Sequence, residues 1–129
     1  MSFLNKVLSS FFGNKSQKDI KEVMPVLQQI KQEYLRMPRL SNDELRSESA
    51  LIRKKIRDYI KEEEDEIESL KEQAESGTLP LEEGEKIYDK VDKLEELILK
   101  KIEEVLNEVL PTAFAIVKDT ARRLSLIHI

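Results

Sequence analysis

A chain of 129 residues with 37% charged and 5% aromatic residues has the composition of long solvated helices rather than of a sheet, and 40% apolar residues set at helical spacing separate it from a disordered chain. The absence of cysteine excludes disulfides and thiolate metal sites, and a single histidine, His128, excludes a His-based metal cluster or triad. The net charge of −4 conceals an asymmetry, because residues 61–110 hold 18 acids and 7 lysines while the remainder holds 8 acids and 15 bases; so acidic a middle repels nucleic acid, and no nucleic-acid partner is expected.

Phe3, Leu4, Val7, Leu8, Phe11 and Phe12 open the sequence and fall within one half of a helical wheel, with Ser2, Asn5, Lys6, Ser9 and Ser10 on the other. Gly13-Asn14 predicts a stop to this helix. No run approaches the length of a membrane span. Asn5 and Lys6 interrupt the apolar stretch, and no small-residue cleavage site follows, which argues against a secretory signal. Two readings of this helix stand side by side. It packs on other protein, or it lies at a membrane surface with its apolar half in lipid and its lysines at anionic headgroups. The membrane-contact residues of the second reading are Phe3, Leu4, Lys6, Val7, Leu8, Phe11, Phe12 and Lys15.

A second helix is predicted over residues 17–36, carrying Ile20, Val23, Leu27, Ile30 and Tyr34 on one face. Pro25 lies inside it and should kink or interrupt it, and Pro38 marks its end. Ser41-Asn42-Asp43-Glu44 has capping-box spacing, flanked by Leu40 and Leu45 at the staple positions. The helix it opens runs to Ser76 with Leu45, Ile52, Ile56, Ile60, Ile67, Leu70 and Ala74 on one side; Gly77 ends it, and Pro80 stands near the first turn of the next. That helix carries Ile87, Val91, Leu94, Ile98, Ile102, Val105 and Val109 until Pro111 breaks it.

The two apolar series mirror each other about residues 77–80. Leu70 faces Ile87, Ile67 faces Val91, Ile60 faces Ile98, Ile56 faces Ile102 and Ile52 faces Val105, which is the pattern of an antiparallel helical hairpin. One place fails: Leu94 meets Glu63 or Glu64, so the seam is expected to be weak there. The fold class expected is therefore all-α, with a long antiparallel helical hairpin.

Motifs of chemistry are missing. Gly13, Gly77 and Gly84 are the only glycines and none precedes a lysine, so no phosphate-binding loop is present. The run Glu62-Glu63-Glu64-Asp65-Glu66 points in all directions around a helix and cannot converge on one metal ion. No catalytic, cofactor-binding or metal-binding residue is expected in the chain.

Three stretches carry a family resemblance. Val7-Leu-Ser-Ser-Phe-Phe-Gly-Asn-Lys15 followed by Asp19-Ile20-Lys21, Leu40-Ser-Asn-Asp-Glu-Leu-Arg46, and Leu110-Pro-Thr-Ala-Phe-Ala-Ile-Val-Lys-Asp-Thr-Ala-Arg-Arg123 together resemble the opening of SecA, the bacterial preprotein translocase ATPase. The resemblance implies that the intact protein is a multidomain α/β motor that uses ATP and Mg²⁺. Its implied partners are the SecYEG channel, preproteins and anionic membrane lipids, and its implied place is the cytoplasm and the inner face of the cell membrane. The organisation expected is an amphipathic helix over 1–15, helices leading into the motor over 16–60, an inserted acidic hairpin over 61–104, the start of a truncated nucleotide-binding domain over 105–124 and a non-native tail over 125–129. An autonomous coiled-coil adaptor and a small peripheral membrane-binding protein are the competing readings.

Overall fold

The computed structural model describes residues 3–127, without the side chains of residues 5, 9 and 11–14. The described residues contain no strand: α1 spans Phe3–Tyr34, a 3₁₀ turn Met37–Arg39, α2 Asn42–Glu75 and α3 Leu81–Ile127. The fold is all-α, as the composition and spacing lead one to expect. Two compact units divide the chain, one of Met1–Leu40 with Pro111–Ile129 and one of Ser41–Leu110.

In the first unit, the expected pair of helices is a single one. The backbone stays helical through Gly13-Asn14 and through Pro25. A glycine stop works by adopting a left-handed conformation that turns the chain away, and Gly77 is the only described glycine with positive φ. A helical glycine otherwise costs only about 1 kcal/mol relative to alanine, and Ser16, Gln17 and Lys18 continue the helix without hindrance. Pro25 removes one hydrogen bond on an exposed stretch, which the long helix absorbs. The chain turns at Met37–Arg39, where Pro38 sets the backbone and the Leu40 N–H donates to the Met37 carbonyl at 3.1 Å. Met37, Ala115 and Asp119 are fully buried.

The second unit is the hairpin. Ser41 Oγ accepts from the Glu44 N–H at 3.1 Å while the Ser41 N–H donates to Glu44 Oε2 at 2.8 Å, so the capping box is complete. α2 closes with the Ser76 N–H on the Glu72 carbonyl, and Gly77 follows at φ 69°, a conformation that L side chains resist. The Pro80 carbonyl then accepts from Glu83 and Gly84 at 3.1 Å, which starts α3. Ile67, Leu70 and Val91 form a buried cluster, with Ile87, Leu94 and Ile98 packed against it. The two apolar stripes thus pack on each other about the turn, while the polar contacts Glu63–Lys101, Tyr59–Glu104 and Lys55–Glu108 join residues about six positions further along α3 than the expected pairing.

Two expectations about this hairpin are corrected. Leu94 does not confront an acid: it packs into the apolar cluster, and Glu63 is taken instead by Lys101 of the opposite helix. Nor does Pro111 break the helix, since α3 runs without interruption to Ile127. Proline deprives a helix of one hydrogen bond, but here Val105, Val109, Ala115 and Asp119 are all buried on either side of it, and their burial holds the helix through the gap.

Candidate functional site

The first candidate is α1. Phe3, Leu4, Val7 and Leu8 are exposed on its first turns, with Leu4 69% accessible, and Lys6 and Lys15 are exposed as well. Phe11 and Phe12 lie on the helical backbone, their side chains outside the described residues. Ile20, Val23, Met24 and Leu27 line a shallow apolar depression further along α1, with Lys15, Ser16 and Asp19 beside it. Because α1 is one helix, a count of about 100° per residue puts these two apolar groups on opposite sides of it. The apolar contact residues that are described, Phe3, Leu4, Val7 and Leu8, therefore share one side of the first turns, Lys6 lies on the other side, and the second stripe does not extend the apolar face.

The second candidate was not foreseen from the sequence. Asp119 is fully buried, and its two oxygens accept from Arg122 Nε at 2.8 Å and from Arg123 Nε at 2.7 Å. Helical spacing makes this possible: positions three and four residues on return to the face of the carboxylate. Arg123 reaches past Asp119 and donates through Nη2 to the Met37 carbonyl at 3.0 Å and the Leu40 carbonyl at 2.6 Å. The arginine thus completes the backbone hydrogen bonding of the turn after α1. Beside it, Lys118 Nζ sits 4.1 Å over the Tyr34 ring, a cation–π contact. Burial by itself pushes the Asp119 carboxyl up, but the hydrogen bonds from Arg122 and Arg123 outweigh it and hold the group below the usual carboxylate range. Arg122 is shifted upward by the same bond. The signal in the sequence was Asp-x-x-Arg-Arg on a helix, which periodicity of apolar residues does not register.

The third is the polar network in the hairpin. Lys101 Nζ bonds Glu63 Oε1, donates to the Tyr59 carbonyl at 3.4 Å and lies 5.1 Å from the Tyr59 ring. Tyr59 Oη in turn donates to Glu104 Oε2 at 3.0 Å. The Lys101 hydrogen bond, followed by one from backbone, keeps the Glu63 carboxyl low, and Lys101 is raised by the same contact. Glu63 Oε2 is buried with no hydrogen-bond partner among the described residues. The other ion pairs between α2 and α3, Lys55–Glu108 at 3.0 Å, Lys90–Glu66 at 3.1 Å and Lys71–Glu95 at 3.5 Å, are exposed.

Among the described residues no group of His, Cys, Asp or Glu is placed to hold a metal ion, and no helix is long and apolar enough to cross a membrane. These three features define a helical module whose side chains position elements and present surface. The model of the SecA DEAD-like domain matches residues 8–128. Among known relatives, the protein translocase subunit SecA of Porphyromonas gingivalis is 54% identical over 119 residues, covering 92% of this chain and 10% of the relative. SecA of Phocaeicola vulgatus is 47% identical over 121 residues, and SecA of Christiangramia forsetii 43% over 123, with 94% and 95% of this chain covered and 11% of each relative. No solved structure matches the chain. The chain belongs to the SecA family, and it spans about a tenth of the length of these relatives.

Proposed function

We propose that the chain is the N-terminal part of a SecA-type translocase subunit, which couples ATP hydrolysis to preprotein export through the SecYEG channel, and that this stretch is inactive alone. The observation that carries the reading is the 54% identity over nearly the whole chain to a protein named as a translocase subunit. Inactivity rests on the sequence: no phosphate-binding loop is present to position nucleotide and Mg²⁺. ATP and Mg²⁺ are cofactors proposed for the whole protein, as are preproteins, the channel and anionic lipids for its partners. Its proposed place is the cytoplasm and the inner face of the cell membrane.

Within that protein α1 is the proposed lipid-contacting element, supported by exposed Phe3, Leu4, Val7 and Leu8 beside Lys6 and Lys15. Partial insertion of such side chains supplies apolar binding, and each lysine near an acidic surface adds about 1 kcal/mol. Replacing the matching segment of Porphyromonas gingivalis SecA with this chain should retain ATP-dependent uptake of a preprotein by inverted membrane vesicles. A chimera that folds and hydrolyses ATP yet imports nothing would overturn the reading, and saturable ATP binding by the chain alone would overturn its inactivity. For the lipid contact, the chain should sediment with anionic vesicles and release them at high salt, and Leu8→Asp should weaken it. Equal affinity for neutral and anionic vesicles would refute the role of the lysines.

A further inference from the structure

We propose that the outer face of α3 in the hairpin is a docking surface for a basic amphipathic helix of another protein. A residue of α3 that follows a seam residue by one position stands about 100° around the helix from the seam. After Ile98, Val105 and Val109 those positions hold Leu99, Leu106 and Leu110, which are 67%, 47% and 38% exposed. α2 fills the same positions differently: its buried Leu45, Ile60, Ile67 and Leu70 are followed by Arg46, Lys61, Glu68 and Lys71. One helix of the hairpin therefore turns charge outward, and the other turns a line of leucines.

Spacings of seven and four residues set the three leucines on one line along the helix, which is the pattern of a seam that seats a second helix. The line covers about 16 Å at the rise of an α-helix. Single apolar residues are ordinary on a surface, but large ones in line on one helix face form a contiguous patch of the kind that marks an interface.

The rim of the line decides its occupant. Glu96 and Glu103 stand one turn to either side of Leu99, and Asp92 two turns before it. All three are exposed, and none is in an ion pair among the described residues. Glu95, also one turn from Leu99, is exposed and has only Lys71 at 3.5 Å. The nearest lysines of α3, Lys93, Lys100 and Lys101, lie about 100° or more around the helix from Leu99. Such a rim repels an anionic membrane surface and nucleic acid alike. A second copy is disfavoured for the same reason, since residues 41–110 hold 22 acids and 12 bases. A helix with an apolar stripe flanked by lysine or arginine meets both requirements: its apolar side chains seat on Leu99, Leu106 and Leu110, and its cations meet the acids that α2 leaves free.

The probe is a fluorescent amphipathic peptide of leucine and lysine, about five helical turns long, and anisotropy on titration with the full chain is the readout. The peptide should bind saturably and more weakly as salt rises, and its leucine–glutamate counterpart should not bind. Leu99→Asp with Leu106→Asp should weaken binding by at least about tenfold. Glu96→Gln with Glu103→Gln should weaken it by a smaller factor, and Leu51→Asp, at an exposed leucine of α2, should leave it unchanged. If the aspartates lower helicity, Leu99→Gln with Leu106→Gln carries the same expectation. Leucine variants that bind as tightly as the parent would overturn the inference, because charge alone would then explain the affinity, and so would equal binding of the glutamate peptide. Sedimentation showing that the parent self-associates through these leucines would assign the line to a second copy. A Porphyromonas gingivalis SecA chimera that carries this chain and no longer binds the peptide would assign it to the remainder of that protein. Either result would overturn the inference as well.

Discussion

Asp119→Ala removes the buried half of a two-arginine knot. The carboxylate is fully buried and both oxygens are used, so the substitution withdraws two charge-assisted bonds at 2.7 and 2.8 Å. Breaking a buried pair costs about 3–5 kcal/mol. Arg123 keeps its two carbonyl partners and an 18% exposed side chain, so the lower end, about 3 kcal/mol, is expected. That is a fall of about a hundredfold in the ratio of folded to unfolded chain. Urea unfolding followed by far-UV circular dichroism should show it as a lower midpoint. The two arginines should separate: Arg123→Ala also strips the Met37 and Leu40 carbonyls and should approach the cost of Asp119→Ala, whereas Arg122, 41% exposed, should matter much less. The pH dependence has a definite sign. The folded carboxyl titrates below its unfolded value, so its stabilisation is complete above about pH 4 and drains as pH falls through the depressed folded value. The gap between parent and Asp119→Ala should therefore narrow in acid. A gap that stays constant to about pH 2, or Arg122→Ala costing as much as Arg123→Ala, would refute the account.

Gly77→Ala should cost about 1 kcal/mol through its backbone alone, because φ is 69° and nothing lies within 4 Å of the added Cβ; an unchanged urea midpoint would contradict this. Ser41→Ala, which removes the side-chain half of the capping box, should also cost about 1 kcal/mol, with Ser41→Asp recovering most of it in the same assay. Pro25→Ala should act in the opposite direction, adding up to about 3 kcal/mol to helix formation by restoring an N–H donor and removing a ring clash. Slower amide exchange in the turns around residue 25 would register that gain.

Local signals with a single physical outcome were legible in the sequence. Ser41 and Glu44 satisfy each other's backbone wherever they begin a helix, and Gly77 between two amphipathic stretches has little else to do than turn the chain. The mirrored isoleucines located the hairpin because burial of one stripe on the other needs no distant partner. Breakers misled where the cost was small, as at Gly13, where a long helix continued on both sides in spite of the penalty, as at Pro25, or where buried neighbours held the helix together, as at Pro111. Charged residues were the least legible. Glu63 and Asp119 look like any surface acid in sequence, and only the arrival of Lys101 from the other helix, or of two arginines one turn on, makes either a buried group.

The hairpin's geometry also sets an order of assembly. The cluster that joins Leu70 to Ile87 closes a short loop, while Glu63–Lys101 spans 38 residues and Tyr59–Glu104 spans 45. The entropy of closing a loop grows only slowly with its length, by about 0.6 kcal/mol per doubling, and once the turn-proximal cluster has formed each further contact fixes only a few residues more. The turn at Gly77 is thus the natural nucleus, and the chain zips away from it toward Lys55 and Glu108. Substitutions near the turn should therefore slow folding and those at the open end should speed unfolding, which a mutational series of folding and unfolding rates would read.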